Sequence, residues 1–388
     1  MTQALIIGGG IAGPAVAIAL QRVGLAATIY EASPAPRDEA GAFLNLAPNG
    51  LNALDALGLA DCVNSLGFRN DRLIFQNERG RVLAEAPVGG RTVMRGALSR
   101  ALREAALAAG VQVAFGKRLD AIDEQGDAVV ATFADGTTAC GSLLIGCDGI
   151  HSRTRSTYFP TAPKPSYTGI INLGGVVLTD LPTTDNAMHM IFGKAGFFGY
   201  AVRPSGETYW FSNYAQSTEP NRDAVEGMAG ADFRQKLLAV HAGDPPAVKR
   251  ILQAVTGPIG AYPLYDIPSL PCWQRGRVCL LGDASHAVGP HVGQGASLAL
   301  EDAFVLAKCL RDLPNPPTAF AAFERLRRAR VEKVHKASRQ TGNQKAPTGW
   351  LGRKIRDLVL PLFLRKGAQA TDWMYSYPFD WAEPIAAR

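Results

Sequence analysis

The 388 residues carry no C-x-x-C pair, no internal repeat and no low-complexity linker. They also carry no block of like charge apart from "RLRRARVEK" at 325–333. That cluster sits in a helical pattern and reads as a solvated face, so no nucleic-acid partner is expected. Six scattered cysteines without close pairing read as free thiols, mostly buried, in a reducing cytoplasm. No charged residue precedes Arg22, yet the start has no basic n-region and "GGGIAG" interrupts it, which argues against a signal or spanning segment. H-E-x-x-H, G-x-S-x-G and G-x-x-x-x-G-K are all missing, which leaves zinc hydrolase, serine hydrolase and nucleoside triphosphatase readings unsupported. His286 and His291 lie five apart with no further ligand set, so no metal site is expected.

What is present is an ordinary globular composition, 47% hydrophobic and 19% charged, long enough for two or three domain-sized units. The net charge of +6 describes a mildly basic surface that attracts anionic cofactors or substrates. "ALII" (4–7) reads as a buried strand, Ala12 to Val23 as a helix and "AATIYE" (26–31) as the next strand, a β-α-β unit. Helices are expected at "APNGLNALDALGLA", 95–110, 231–255, 295–311, 317–342 and, as a pair, about 350–376. Strands are expected at "VQVAF", "AVVATFA" and "SLLIGCDG", with a hairpin turn at Asp135-Gly136. From about 163 to 268 long β-like runs take over, which suggests an inserted sheet domain before "RVCLLGD" returns to the first domain.

Three glycine-bearing turns carry the chemistry. Gly8-x-Gly10-x-x-Gly13 lies between strand and helix, where glycines permit the tight turn, the close approach of a pyrophosphate and the packing of helix on strand. Glu31, eighteen residues on, ends the second strand, where a carboxylate accepts from ribose hydroxyls. These features point to a dinucleotide without separating FAD from NAD. "GCDGIHSRTR" (146–155) and "GDASHAVGPHVGQGASLALEDA" (282–303) are Asp-Gly and Gly-Asp turns that each follow a buried strand.

Together the three turns resemble those of the class A FAD-dependent aromatic monooxygenases, the para-hydroxybenzoate and salicylate hydroxylase family. "GAFLNLAPNGLNALDALGL", "MRGALSRAL", "YTGIINLGG", "PSLPCWQRGRVCLLGDASHA" and the terminal "WMYSYPFDW" extend the resemblance over nearly the whole chain. It implies an α/β fold: a Rossmann-like FAD-binding domain of glutathione-reductase type (1–162 and 269–345), an inserted β-sheet substrate domain (163–268) and a C-terminal helical segment (346–388). It implies that Gly8, Gly10 and Gly13 hold FAD and that Glu31 binds the adenosine ribose. Arg95 would bind FAD, Asp148 would serve the pyrophosphate region and the nicotinamide reductant, and Ser152 and Arg155 match the rest of that motif. Asp283 would bind a ribityl hydroxyl, Gly293 and Gly295 would admit the flavin's pyrimidine edge, and Asn45 would lie near the isoalloxazine. Cys147 and Ser285 stand where the family usually has Ala.

The implied activity is NAD(P)H-driven insertion of one oxygen atom of O2 into an aromatic or polycyclic small molecule, through a flavin C4a-hydroperoxide. A reductase or oxidase of the same fold and a non-catalytic flavin-binding protein are the alternatives; the halogenase signature W-x-W-x-I-P is absent. Eight aromatics fall within 192–214, and a sheet face covering the flavin would use some of them to line a substrate pocket. Tyr200, His189, Tyr214, His291, Phe198 and Trp210 are the candidates there; no catalytic base stands out. "GWLGRKIRDLVLPLFLRKG" (349–367) reads as a helix packed on the body rather than a membrane-surface helix, because Pro361 breaks its apolar face. A monomer or homodimer is expected.

Overall fold

The computed structural model describes residues 3–39, 41–221, 230–257, 259–345, 349, 352–359, 361 and 372–386. The uncharged start forms β1 (Gln3–Ile7), a glycine turn, α1 (Ala12–Arg22) and β2 (Ala26–Tyr30), with β2 parallel to β1. The chain then runs through β3 (Phe43–Leu46), α2 (Pro48–Ala56), α3 (Ala60–Asn64), β4 (Phe68–Asn77), β5 (Val82–Met94), α4 (Arg95–Ala108) and β6 (Gln112–Ala114). An antiparallel meander follows, β7 (Leu119–Gln125), β8 (Ala128–Phe133) and β9 (Thr138–Gly141), and Gly136 takes a positive φ in the expected Asp135-Gly136 turn. Next come β10 (Leu143–Gly146), α5 (Arg153–Tyr158), β11 (Ser166–Leu178), β12 (Ala187–Phe192), β13 (Gly196–Val202) and β14 (Glu207–Ala215). The remainder is α6 (Gly230–Val240), α7 (Pro246–Ala254), β15 (Gly260–Asp266), β16 (Gln274–Arg275), β17 (Val278–Leu280), α8 (Asp283–His286), α9 (Gly295–Asp312) and α10 (Pro316–Lys345).

The first sheet has the order β16-β17-β10-β1-β2-β6 and is parallel except at β16. From β1 the chain winds outward to β2 and β6 on one side, then returns to β10 and β17 on the other. The strand order therefore reverses between β1 and β10, and the loops leaving their carboxyl ends splay apart to open a crevice. Those loops are the Gly8–Gly13 turn and the Cys147–Gly149 turn.

The second sheet has the order β15-β11-β14-β13-β12-β4-β5-β3. Only five of its strands come from 163–268; β3, β4 and β5 come from residues that the sequence reading placed wholly in the first domain. The join is the parallel pairing of β4 with β12, Arg72 opposite Ala187 through Asn77 opposite Phe192. A pairing over more than a hundred residues leaves no local signal, which is why the boundary at 163 does not describe how the sheet is assembled. One face of this sheet is covered by α6 and α7, whose Phe233, Leu237, Val248, Ile251 and Leu252 pack on Ile171, Leu173, Ile191, Phe198, Trp210 and Tyr214. Of the expected helix pair at about 350–376, residues 352–359 and Asp372–Tyr375 are helical, the first held to the end of β4 by Arg356 and Glu78 (3.4 Å), and most of the stretch between them lies outside the described residues. Beyond it, Trp381 is fixed by its indole N–H donating to the Ala56 carbonyl (2.8 Å) and by packing on Phe304.

Candidate active site

A single cleft of about 2890 Å³ joins the two sheets. One ligand usually occupies at most about 1,000 Å³, so this space suits a large cofactor and a substrate together. On the first-sheet side the lining includes Gly8, Gly10, Glu31, Arg95, Asp148, Asp283, Gly293 and Gly295, together with Asn45 from β3. Every cofactor candidate from the sequence therefore borders one continuous space, except Gly13, which lies behind the turn.

The glycines have distinct tasks. A Cβ on Gly13 would sit on the Gly8 carbonyl oxygen, and one on Gly8 would lie 2.5 Å from the Cys147 carbonyl oxygen. Those two let helix, turn and β10 loop close on each other. A Cβ on Gly10 meets nothing within 4 Å, so its side faces open cleft. Behind it α1 begins at Ala12, where the preceding Ile11 offers no side-chain cap and the first turn holds no acid. The first N–H groups of the helix and its positive end are thus left to an anion in the cleft. Glu31 is aimed by two backbone donors, Gly9 N–H to Oε2 (2.7 Å) and Ser33 N–H to Oε1 (2.8 Å).

The start of α9 is likewise uncapped. Gln294 precedes it without capping it, its first turn holds no acid, and Gly293 sits in the left-handed region at φ 64°. Asp283 opens α8 just after Gly282 (φ 60°), and its Oδ1 lies 3.7 Å from where a Cβ on Gly295 would be. Arg95 lines the cleft and makes no side-chain hydrogen bond or ion pair among the described residues. Asp148 differs: Ser152 Oγ donates to Oδ1 (2.5 Å), and Thr154 N–H (2.8 Å) and Oγ1 (3.0 Å) donate to Oδ2. Burial pushes its carboxyl above the ordinary range, and these hydrogen bonds oppose that shift. Its side chain organises the loop and the start of α5. Arg155 is buried and ties this loop to the Gly-Asp loop by donating to the carbonyls of Ala284 (2.8 Å) and Ile150 (2.6 Å).

On the second-sheet side the lining includes Leu73, Phe75, Asn172, Met188, Met190, Phe192, Phe211, Asn213 and Tyr262. Of the substrate-pocket candidates only His291 lines the cleft, with its ring against Gly289 and Gly342. Phe198, Trp210 and Tyr214 belong to the core under α6 and α7, and Phe198 stacks on Trp210 at 5.9 Å. His189 stacks on Tyr200 and pairs through Nδ1 with Gln76 Oε1 (3.0 Å) on that same far face. Strand alternation divides these aromatics correctly into two faces; it does not say which face a helical layer will take. The helices cover the face of Phe198 and Trp210, and the cleft receives the Met188, Met190 and Phe211 face.

A buried polar network behind α9 was not foreseen. Arg327 and its partners Glu301 and Asp302 are all 0% exposed. Arg327 Nε donates to Asp302 Oδ1 (2.7 Å), and its Nη2 forms an ion pair with Glu301 Oε2 at 2.6 Å that is not aligned as a hydrogen bond. His286 Nε2 lies 2.6 Å from Asp302 Oδ2, Arg330 pairs with Glu301 at 2.6 Å, and Asn49 Nδ2 donates to Glu301 Oε1 (2.6 Å) and Gln294 Oε1 (2.8 Å). "RLRRARVEK" is therefore only in part a solvated face: Arg325, Glu332 and Lys333 are exposed, whereas Arg327 and Arg330 turn inward. The available signal was the adjacent acid pair within the apolar helix "ALEDAFVLA", which needed cations from elsewhere.

A family model described as "FAD binding domain" matches residues 1–338. The 3-amino-4-hydroxybenzoate 2-monooxygenase PtnB3 of Streptomyces platensis is 33% identical over 99% of this chain and 97% of that protein. The 6-hydroxynicotinate 3-monooxygenase of Bordetella bronchiseptica is 32% identical over 86% of this chain and 89% of its own. Among solved structures, Klebsiella pneumoniae HpxO complexed with FAD and uric acid superposes with a TM-score of 0.86 at 26% identity, covering 98% of each chain. A salicylate hydroxylase substrate complex superposes at 0.80 with 22% identity, over 100% of this chain and 99% of that one, a likeness of fold.

Proposed function

Because the chain belongs to the FAD-binding domain family, as an FAD-dependent aromatic monooxygenase, we propose how its residues divide that task. The observation that carries this reading is the cleft that places the uncapped starts of α1 and α9 opposite an apolar sheet face. The Gly8–Gly13 turn, α1 and Glu31 hold the adenosine and pyrophosphate end of FAD. Arg95 supplies a cation that has no protein partner to leave among the described residues, and Asp283 takes a ribityl hydroxyl. Gly293, Gly295 and the start of α9 receive the flavin ring, where the helix dipole favours negative charge. When bound, the cofactor supplies hydride acceptance and dioxygen activation for transfer of one oxygen atom to a ring, chemistry that no side chain here provides.

The chain's own residues then bind, orient and keep dry. Met188, Met190, Phe192 and Phe211 form a wall that sheds water from the reacting region. His291, between Pro290 and Val292, is the one titratable substrate-pocket candidate from the sequence that borders the cleft. The reductant is a nicotinamide dinucleotide that docks transiently, since the sequence has a single G-x-G-x-x-G turn. All six cysteines are free, which supports a reducing, cytoplasmic setting.

The test uses the purified yellow protein with a panel of phenols, hydroxybenzoates and N-heterocycles, following reduced nicotinamide oxidation, oxygen uptake and product mass together. Oxygen-dependent formation of a product heavier by one oxygen atom is expected with at least one ring compound. Reduction of the flavin without any oxygenated product across the panel would refute the reading.

A further inference from the structure

Asn172 on β11 and Asn213 on β14 are direct cross-strand partners, and both line the cleft. Asn172 Nδ2 donates to Asn213 Oδ1 at 2.6 Å. A primary amide has one acceptor oxygen and one two-hydrogen donor. One bond between two amides therefore leaves one oxygen and one NH2 available, and this holds whichever way the amides are turned. Among the described residues neither leftover group has another partner.

The next row of the same face runs Gly260, Gly174, Phe211, Gly199. A Cβ on Gly260 would meet Tyr262 Oη at 2.7 Å, so the Tyr262 ring lies over Gly260; the Phe211 ring lies over Gly199. The two rings rest on glycines to either side, and the buried Gly174 adds no side chain between them. The result is a slot with aromatic flanks and the amide pair at one end. Among the described residues, the lysines and arginines that line the cleft are Arg95, Lys117, Arg118 and Arg153. They come from α4, the segment between β6 and β7, and α5, so the second sheet brings no cation to the slot.

We propose that Asn172 and Asn213 together bind the N–H/C=O edge of a planar, uncharged ring lactam, one hydrogen bond from each amide. This names the substrate class of the site proposed above and rests on that reading. The lactam N–H donates to the free amide oxygen and the lactam C=O accepts from the free NH2. A carboxylate offers two acceptors to this pair and satisfies only half of it.

The test titrates the FAD-loaded protein with quinolin-2-one, N-methylquinolin-2-one and protonated 2-aminoquinoline, reading the bound flavin's visible absorbance and the binding heat. Wild type should bind quinolin-2-one about tenfold or more tighter than its N-methyl derivative, which loses one hydrogen bond and leaves its partner unpaired. Asn213→Asp presents two acceptors and should invert the preference, weakening quinolin-2-one about tenfold and favouring the donor–donor aminoquinolinium. Asn172→Leu/Asn213→Leu should erase the difference between quinolin-2-one and its N-methyl derivative. The FAD-to-protein ratio checks that each variant is folded, and the wild-type comparison decides alone if neither retains FAD. Equal wild-type affinities, or an Asn213→Asp variant with unchanged preference, overturn the proposal. Benzoates that bind tightly while lactams do not overturn it and leave the monooxygenase reading standing. No response to any ring compound, in spectrum or in nicotinamide oxidation, overturns both.

Discussion

Replacing Arg327 with Met tests the support behind α9. Arg327, Glu301 and Asp302 are all fully buried, with the guanidinium 2.6 Å and 2.7 Å from the two carboxylates. Two arginines, Arg327 and Arg330, face the two carboxylates, and His286 closes on Asp302 at 2.6 Å. The Arg327→Met variant leaves Glu301 its partner Arg330 at 2.6 Å and Asp302 only His286 at 2.6 Å, so the buried cluster loses one cation and keeps both acids. Removing one partner of a buried pair costs about 3–5 kcal/mol, much of it from stranding the other charge. The pH dependence carries the sharper test. In the wild type, burial alone would push the Asp302 carboxyl up, but His286 and Arg327 outweigh it and hold it below its ordinary value. A depressed carboxylate contributes stability above its unfolded value near 3.9 and loses it only as pH falls through the lower folded value, so the wild type should vary little from this source above about pH 5. Without Arg327 one of the two groups that hold the Asp302 carboxyl down is lost, so its folded value moves up towards the ordinary one and the variant forfeits part of that contribution wherever Asp302 is ionised in the unfolded chain. Urea denaturation should show a larger wild-type-minus-variant difference at about pH 7 than at about pH 3.5, below the unfolded value of the carboxyl, where the depressed Asp302 no longer distinguishes the two proteins. A difference below about 1 kcal/mol near neutral pH, or one that grows toward low pH, would refute the argument.

The glycines of the first turn should separate folding from binding. Gly13→Ala drives a methyl into the Gly8 carbonyl and should give little folded protein, whereas Gly10→Ala, with open space at its Cβ, should fold and lose FAD; yield and the visible-to-ultraviolet absorbance ratio distinguish them. Asp283→Ala should weaken FAD binding about tenfold or more while leaving the apoprotein's melting temperature near wild type, as measured by fluorescence titration of the apoprotein with FAD; full flavin occupancy at limiting FAD would contradict its placement. Phe198→Ala should cost about 3–5 kcal/mol of stability as a core truncation, yet leave the order of preference among ring compounds unchanged. Phe211→Ala should alter that order with a smaller loss of stability, because its ring borders the cleft.

What was legible in the sequence is what is local. Gly8, Gly10, Gly13 and Glu31 act within one β-α-β unit, so their spacing and the strand–turn–helix around them carry the geometry. Asp148 and Asp283 follow buried strands, and each turn is held by bonds over a few residues. The second sheet was legible strand by strand in its later part. Its assembly was not, because β4 meets β12 by a pairing that no nearby residue announces. Arg327 and Arg330 of "RLRRARVEK" escaped the reading for a related reason: their polarity is satisfied by Glu301 and Asp302, on another helix. A charge run on a helix looks solvated until a buried acid pair is found to face it.

Parity within a strand then decides which residues meet a ligand at all. Ser212 lies between Phe211 and Asn213, both of which line the cleft, so its own side chain points to the opposite face. There Ser212 Oγ lies 2.7 Å from His241 Nε2, and His241 Nδ1 lies 2.7 Å from Asp244 Oδ2. Distances alone would make this a nucleophile, base and orienting acid. Ser212 is 0% and His241 4% exposed, none of the three borders the cleft, and Phe198 closes edge-on over the imidazole at 5.1 Å. With no route for a substrate, the chain of hydrogen bonds instead ties the end of α6 to β14. It thereby holds the helical layer against the sheet whose other face carries Asn213. One residue step along β14 thus separates a polar trio sealed in the core from an amide poised at the cleft. The assignment of sites in this fold therefore rests on sheet register first and residue chemistry second.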